Sequence, residues 1–229
     1  MKRLVVLTGS GISSESGLKT FRDSGGLWEE HDVMEVASYN GWLRNRGLVL
    51  EFYNERRAQL KDAQPNNAHI GLVWLEKYFD VRIITQNVDN LHEKAGSKNV
   101  LHLHGLLTSA RCTEEPHLKY DIGYKAILAG DKCENGHQLR PDIVWFGEMV
   151  PAIEDATEIV GTADIFVVIG SSLVVYPAAG LVHYVPENCP VFVIDPIVPD
   201  IPGFRNVEFI KKKAGEGIEV LKGILADLR

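Results

Sequence analysis

The sequence is poor in cysteine, in basic charge and in long apolar stretches, and each shortage excludes a class of protein. Its three cysteines, at positions 112, 133 and 189, are too few and odd in number for a disulfide framework. Lysine and arginine total 24 against 31 aspartates and glutamates, so no positive excess is available to neutralise phosphates. We therefore expect no direct nucleic-acid partner.

Apolar runs are short throughout the chain. None approaches the roughly 18 consecutive apolar residues of a membrane-spanning helix. The run that follows Met1-Lys2-Arg3 ends at Thr8-Gly9, which is too early for a signal peptide. The sequence therefore predicts a soluble, reduced, cytoplasmic protein without a membrane partner, and we expect a monomer.

What the chain does contain is a regular alternation of apolar strands and amphipathic helices. Continuously apolar strands between helices predict an α/β fold, in which helices cover both faces of a parallel sheet. The predicted strands are Leu4–Thr8, Val81–Thr85, Val100–His104, Ile165–Gly170 and Val191–Asp195. The predicted helices are Gly47–Lys61, Ala68–Phe79, Glu154–Ala163 and Gly215–Leu228.

Residues 108–142 break this rhythm, because they are rich in turns, weakly apolar and hold two of the cysteines. We expect a small inserted module there, between the two parts of a larger domain at 1–107 and 143–229. A second departure is Phe21–His31, whose glycine-rich composition predicts a mobile loop.

The stretch from Leu4 to Gly17 is the most informative one. An apolar run ends in Gly9-Ser10-Gly11, and a polar segment rich in capping residues follows. Such glycines allow a pyrophosphate to approach the backbone, and a helix N-terminus beyond them would supply N–H donors. The dinucleotide fingerprint is incomplete, since Ser14 stands at its third glycine, so this loop alone is equally compatible with a turn that binds nothing.

Polar residues follow every predicted strand. Ligands of parallel sheets bind beyond the carboxyl ends of the strands, so these residues are expected to face one crevice. The ends are Thr8-Gly9, Thr85-Gln86-Asn87, His104-Gly105, Gly170-Ser171-Ser172 and Asp195.

Two histidines, His102 and His104, lie on the same side of the third predicted strand. Imidazole titrates near neutral pH and suits a general base, but alternation does not choose between the two. Either residue is also compatible with a purely structural role.

Taken together, several segments resemble the sirtuins, which are NAD-dependent protein-lysine deacylases, from the first strand to the last helix. They are GSGISSESGLKTFR at 9–22, TQNVDNLH at 85–92, HLHG at 102–105, VWFGE at 144–148 and GSSLVVYP at 170–177. The resemblance implies a Rossmann-like domain with a small zinc-ribbon-like insertion and NAD as cofactor. It also implies acyl-lysine proteins or peptides as substrates, and nicotinamide and acyl-ADP-ribose as products.

The same resemblance implies the residues of the site. His104, Asn87 and Asp89 would be catalytic, with His104 taking a proton from a ribose hydroxyl. On the residues alone, Asn87 or Asp89 would cap a helix that begins near Leu91; both roles are compatible, with Asn87 capping and Asp89 binding. The implied cofactor-binding residues are Gly9, Ser10, Gly11, Ser13, Glu15, Phe21, Arg22, Trp28, Gln86, Asn87, Val88, Asp89, Gly170, Ser171, Ser172, Asp195 and Ala214.

The resemblance also implies a strand edge to which a substrate peptide adds itself. The alternative is a plain buried strand with an aromatic face. The residues of this edge are Val144, Trp145, Phe146, Gly147 and Glu148.

Tyr53 and Arg56 match the Tyr-x-x-Arg pair of the sirtuin subgroup that removes succinyl and malonyl groups. Three residues apart, they share one helix face. A buried pocket accepts a distal carboxylate only where a fixed cation and a donor meet it. The alternative is an exposed ion pair with Glu51 or Glu55. Acetyl groups remain possible substrates, because they are small and neutral.

The inserted module departs from the sirtuin pattern. Sirtuins usually hold structural zinc through two C-x-x-C pairs, whereas Cys112 and Cys133 each lack the second cysteine. His117 and His137 would give a Cys2His2 set, but neither spacing supports it strongly. The sequence therefore disfavours zinc, and we expect a module held by turns and by packing on the large domain.

Two other functions use the same NAD site. Mono-ADP-ribosyl transfer needs a different nucleophile, and no residue suggests one. A non-catalytic NAD or ADP-ribose sensor would not need His104. A dehydrogenase is disfavoured, because the glycine fingerprint is wrong and no hydride-acceptor site is indicated.

Overall fold

A computed structural model describes residues 1–19, 32–198 and 207–226 of the chain. Its central parallel sheet consists of Arg3–Thr8 (β1), Asp80–Thr85 (β2), Val100–His102 (β3), Ile165–Ile169 (β7), Val191–Ile194 (β8) and Val207–Ile210 (β9). The strand order is β3-β2-β1-β7-β8-β9. The order of the strands reverses between β1 and β7, and a crevice for a ligand is expected at the carboxyl ends of these two strands.

A smaller antiparallel sheet consists of Gly105–Cys112 (β4), Lys119–Asp121 (β5) and Leu139–Ile143 (β6), in the order β5-β4-β6. The α-helices are Val33–Val36 (α1), Tyr39–Arg44 (α2), Arg46–Asp62 (α3), Asn67–Leu75 (α4), Leu91–Ala95 (α5), Ile153–Gly161 (α6) and Ala214–Ala226 (α7). Short 3-10 turns lie at Ser10–Ile12, Ser14–Ser16 and Ala178–Tyr184.

Both faces of the parallel sheet are covered, which confirms the predicted α/β class. Leu4 and Val6 on β1 share one core cluster with residues of α4 and α7. Val5 and Leu7 point the other way and pack with α6 and the 178–184 turn. Burial on both faces is why the sheet strands are continuously apolar.

The small sheet packs against helices α1, α2 and α3. Leu107 and Ile143 belong to a third core cluster that includes Phe52 and Leu60 of α3. Arg57 on α3 is buried and connects this helix to β4, because its Nε donates to the carbonyl of Leu107 at 2.6 Å. The module therefore gains its core from the helices, as its small size requires. The proposed domain limits at 108 and 142 stay a prediction.

Some elements differ from the predictions. The helix expected after Gly11 is replaced by two 3-10 turns. Strand β9 is not evident in the sequence, because it is a short edge strand and its middle residues are exposed. Within the described ranges, no helix is long and apolar enough to cross a membrane.

The predicted strand edge at 144–148 is wrong as a regular strand. Strand β6 ends at Ile143, and beyond it Phe146 alone forms a bridge, with Ser38. Gly147 has φ +88° and the amide of Glu148 donates to the carbonyl of Trp145, so the segment turns. A left-handed glycine inside a strand breaks the ladder, which the alternation of side chains cannot reveal.

Candidate active site

A cavity of about 720 Å³ lies between the carboxyl ends of the parallel strands and the small sheet. Among the predicted site residues that the structure describes, Glu15 does not line this cavity and the others do. Phe21, Arg22 and Trp28 lie outside the described residues. The predicted residues that line it are Gly9, Ser10, Gly11, Ser13, Tyr53, Arg56, Gln86, Asn87, Val88, Asp89, His104, Val144, Trp145, Phe146, Gly147, Glu148, Gly170, Ser171, Ser172, Asp195 and Ala214.

The glycines of the first loop serve a close contact between two loops. A Cβ on Gly9 would lie 2.6 Å from the carbonyl oxygen of Gly170, and one on Gly11 would lie 2.7 Å from its Cα. Their amides already donate within the chain, Gly9 to Ile169 and Gly11 to Gly170. These glycines therefore shape the crevice floor through a close contact of the two loops, and their own amides are already used within the chain.

Glu15 connects this loop to the last helix. Its carboxylate accepts a hydrogen bond of 2.7 Å from the amide of Gly215, in the first turn of α7. A carboxylate at a helix N-terminus is favourable because the free amides carry partial positive charge. The structure thus gives Glu15 a contact with a helix, and its predicted contact with the cofactor stays a prediction.

Asn87 and Asp89 both bind the first loop through Ser13. The side-chain amide of Asn87 donates to the carbonyl of Gly9 and to Ser13 Oγ, each at 3.1 Å. Ser13 Oγ in turn donates to Asp89 Oδ2 at 2.9 Å. Asp89, and not Asn87, supplies the helix contact, since its Oδ1 accepts from the amide of Leu91. Burial raises the pKa of Asp89.

The structure distinguishes the two histidines. His102 is held by Glu93 at 2.8 Å and by the carbonyl of Asn87. His104 lines the cavity, and its Nδ1 lies 2.9 Å from the carbonyl oxygen of Gln86. A carbonyl can only accept, so Nδ1 carries the proton and Nε2 carries the lone pair. Burial lowers the pKa of His104, which keeps the imidazole neutral at pH 7.

On the other side of the crevice, Ser171 follows β7 and Asp195 follows β8. Gln86 Nε2 donates to Ser171 Oγ at 2.9 Å, which joins the loops after β2 and β7. One oxygen of Asp195 accepts from the amide of Ile197 at 2.9 Å. The polar strand ends therefore converge as the sequence predicts.

Tyr53 and Arg56 lie at the end of the cavity that the small sheet covers. Tyr53 is buried, and its hydroxyl accepts a hydrogen bond of 3.0 Å from the indole of Trp145. Burial raises the pKa of Tyr53 far above its ordinary value. The side chain of Arg56 is only 10% exposed, and its guanidinium lies 4.4 Å from the centre of the Phe52 ring. It also forms an ion pair of 4.0 Å with Glu55, so the pairing that the sequence offers as an alternative is present, although the arginine itself is largely buried.

Glu148 holds the loop that carries Trp145. Its carboxylate accepts from Arg140 at 2.8 and 3.0 Å and from the amide of Trp145 at 2.8 Å. The amides of Val144 and Phe146 donate to His104 and Ala37. Because these two amides are already used, a peptide beside this segment would donate its own amides to carbonyl groups of the segment.

The cavity also has an apolar wall that was not expected from the sequence, formed by Phe52, Leu60, Leu107 and Ile143. A signal exists for part of it, since Phe52 and Leu60 fall on the apolar side of the predicted helix that also carries Tyr53. Leu107 and Ile143 give no such signal, because they reach the cavity through the pairing of β4 with β6.

Comparison with known proteins identifies the family. The model of the Sir2 family matches residues 9–177. The chain belongs to the Sir2 family. An "NAD-dependent protein deacylase" of Bacteroides thetaiotaomicron is 53% identical over 98% of both chains. A relative of the same name from Helicobacter pylori J99 is 49% identical over 100% of this chain and 97% of its own.

Solved Sir2 structures share the fold. A Sir2 homologue in complex with NAD has a TM-score of 0.89 and 37% identity, covering 100% of this chain and 91% of its own. A Sir2 protein with a deacetylated peptide and 3′-O-acetyl ADP-ribose has a TM-score of 0.80 and 28% identity, covering 96% and 92%. The expected sirtuin resemblance is confirmed.

The residues of this Sir2 site fit NAD. The cavity has the volume of a cofactor pocket. Polar groups from the ends of β1, β2, β7 and β8 line one part of it, and the Nε2 atom of His104 is available as an acceptor beside them. Ser10, Gln86 and Asp195 offer both donors and acceptors, as ribose hydroxyls and a carboxamide require.

Proposed function

We propose that this chain prefers to remove succinyl and malonyl groups from protein lysines. Its general activity is that of an NAD-dependent protein-lysine deacylase. The observation that carries the proposal is the placement of Tyr53 and Arg56 in the same cavity as His104.

Arg56 supplies a charge that a neutral acyl group does not need. Its guanidinium is largely removed from water and lies against the face of Phe52. A planar cation in such a place binds a carboxylate through two parallel hydrogen bonds. The carboxylate of a succinyl or malonyl group would add a charge-assisted contact to this cation, whereas an acetyl group has no charge to offer it.

Tyr53 supports the same preference. Its hydroxyl oxygen already accepts from Trp145, so its own proton is directed elsewhere and can be donated. The raised pKa keeps that proton in place at any physiological pH. The pair thus combines a fixed cation with a fixed neutral donor.

His104 is the proposed general base. Its tautomer is set by Gln86, and the lowered pKa leaves Nε2 free to accept a proton at neutral pH. Bound NAD would supply the electrophilic ribose carbon and receive the acyl group. Asn87 and Asp89 hold the loop after β1 in place through Ser13, and this loop lines the cavity that would hold NAD.

The test compares kcat/KM for succinyl-, malonyl- and acetyl-lysine peptides with NAD. A charge-assisted contact is worth about 1.5–3 kcal/mol, so Arg56→Met should lower kcat/KM for the succinyl peptide roughly 10- to 150-fold. The value for the acetyl peptide should change far less. Arg46→Met is the matched control, because Arg46 lies on the same helix, contacts Trp42 and does not line the cavity.

Two outcomes would contradict the proposal. Either the succinyl peptide is not processed, or Arg56→Met reduces turnover of all three peptides equally. His104→Tyr separates an enzyme from a sensor, because it should abolish turnover while changing the affinity for ADP-ribose little.

We also propose that the chain acts in the cytoplasm as a monomer. The small and odd number of cysteines supports a reducing compartment. Light scattering of the purified chain tests the monomer, and cell fractionation tests the location.

A further inference from the structure

Three consecutive residues at the end of β3 hold the segment that follows β2. The backbone amide of Leu103 donates to the carbonyl of the last β2 residue at 2.9 Å. His104 Nδ1 lies 2.9 Å from the carbonyl oxygen of Gln86, and His102 Nδ1 lies 3.1 Å from that of Asn87. The two imidazoles therefore continue the pairing of β2 with β3 through side-chain hydrogen bonds, up to residues that line the cavity.

The surroundings of His102 require a proton on both of its ring nitrogens. Nδ1 faces the carbonyl oxygen of Asn87, and Nε2 lies 2.8 Å from Glu93 Oε1 on α5. A carbonyl oxygen and an ionised carboxylate only accept hydrogen bonds. Neutral imidazole has one N–H and serves one of these acceptors, whereas the imidazolium serves both.

The charged groups around His102 favour the same form. Burial opposes the charge, but the hydrogen bond to Glu93, the carbonyl on Nδ1 and the nearby carboxylate of Asp89 raise the pKa of this histidine. His92, which also interacts with it from α5, brings no charge, because burial holds the pKa of His92 well below its ordinary value. Thr85, its neighbour on β2, is uncharged. His102 is therefore a cation between two carboxylates.

His104, two positions further on, has the opposite requirement. Its Nδ1 has one acceptor, the carbonyl of Gln86, and burial lowers its pKa. The neutral form satisfies that contact. The end of β3 thus presents a neutral imidazole to the cavity, and it carries the imidazolium of His102 at a position that does not line the cavity.

Asn87 is anchored through three of its groups. Its backbone amide donates to Thr85 Oγ1 at 3.0 Å, and its side-chain amide donates to the carbonyl of Gly9 and to Ser13 Oγ. His102 holds the third group, the backbone carbonyl. A neutral His102 would keep its single proton on Nε2, because a hydrogen bond to a carboxylate is stronger than one to a carbonyl. Deprotonation of His102 therefore releases the carbonyl of Asn87.

We propose that His102 is a positioning residue of the deacylase, which holds the Asn87 carbonyl as an imidazolium and keeps the Asn87–Asp89 loop in the shape that binds NAD. The proposal rests on the roles of Asn87 and Asp89 in the proposed function. His102 touches neither cofactor nor substrate, and it acts through that loop. Affinity for NAD should therefore decline on the alkaline side, where His104 is already neutral.

The test follows His102 and NAD binding over the same pH range. Imidazole ¹⁵N chemical shifts of the full-length chain are recorded from about pH 6 to about pH 9, and the signals of His102 are assigned by their loss in His102→Leu. We expect both nitrogens to be protonated at pH 6.5, with a midpoint above that value. The affinity for NAD, measured by calorimetry, and kcat/KM for NAD should fall through this midpoint roughly 2- to 12-fold, as the loss of one hydrogen bond implies.

Two variants isolate the effect. Glu93→Gln removes the carboxylate, so the His102 midpoint should shift to lower pH and the decline in NAD affinity should shift with it. His102→Leu should bind NAD more weakly at neutral pH and should lack the alkaline decline. Glu76→Gln is the matched control, because Glu76 accepts from the amide of Lys98 just before β3, and both midpoints should stay unchanged.

A neutral His102 at pH 6.5 would overturn the proposal. It would also be overturned if the pH dependence of NAD affinity did not shift in Glu93→Gln although the His102 midpoint did, or if His102→Leu bound NAD as the natural chain does. The ¹⁵N signals and NAD affinity depend neither on the acyl group nor on His104 acting as a base. Failure here is therefore distinguishable from failure of the proposed function.

Discussion

Acidification from pH 7 to pH 5 should destabilise the fold through a pair of buried histidines, one on α4 and one on α5. His69 and His92 are both fully buried, and their rings lie 4.9 Å apart, edge to face. Burial lowers the pKa of His69 to about 4 and that of His92 well below its ordinary value. Both imidazoles are therefore neutral in the folded chain, whereas the unfolded chain protonates them below pH 6.5.

The sign and size follow from this difference. A group with a depressed folded pKa contributes stability above its unfolded pKa and loses it as the pH falls. For His69, with a folded pKa of about 4, the loss between pH 7 and pH 5 is about 2 kcal/mol, at about 1.4 kcal/mol per pH unit once the unfolded form is protonated. His92 adds to it in the same direction.

Another histidine acts in the opposite direction. Burial opposes the charged form of His102, but the hydrogen bond that its ring donates to Glu93, the carbonyl of Asn87 and the nearby carboxylates together raise its pKa, so its contribution is greatest below its unfolded pKa. A single pH scan therefore reports only the sum of these groups, and a variant is needed to isolate His69.

His69→Gln is the variant that isolates it. Glutamine can keep the helix cap, in which His69 Nδ1 accepts from the amide of Asn66, and it does not titrate. The free energy of unfolding in urea, measured at pH 7, 6 and 5, should fall about 2 kcal/mol less in the variant than in the natural chain. His117→Gln is the control and should follow the natural chain. Parallel curves for the natural chain and His69→Gln would refute the reasoning.

Three further predictions concern the active site. The pH profile of kcat/KM should fall on its acid side below pH 6.5, because burial lowers the pKa of His104; an acid limb above that value would contradict its role. Gly170→Ala should lower stability by at least about 2 kcal/mol by calorimetry, since φ is +62° and the new Cβ would meet Ile12 N at 2.3 Å; an unchanged melting temperature would contradict this. Trp145→Phe removes the donor to Tyr53, and kcat/KM should fall roughly fivefold more for succinyl than for acetyl peptide; equal losses would exclude this positioning role.

Several features could be predicted because they depend on neighbours in the sequence. The strand at Leu4–Thr8 and the helix near Gly47–Lys61 follow from local periodicity, and both are found within one or two residues of the predicted limits. The helix face shared by Tyr53 and Arg56 follows from the same local geometry.

Other features could not be predicted, because they depend on contacts between distant residues. The side-chain amide of Asn87 donates to the carbonyl of Gly9 and to Ser13, 78 and 74 positions earlier in the chain. Glu15 contacts Gly215, 200 positions further along the chain. Within the segment 144–148, Phe146 forms a bridge with Ser38, 108 positions earlier in the chain.

The sequence by itself determined the α/β class, the polar strand ends and the family of the chain, since periodicity and motifs depend only on residues close together in the sequence. Only the tertiary structure decided which histidine reaches the cavity and which side chains surround Cys112 and Cys133. Hydrogen bonds need atoms within a few ångströms, and chain folding alone sets those distances between residues remote in sequence.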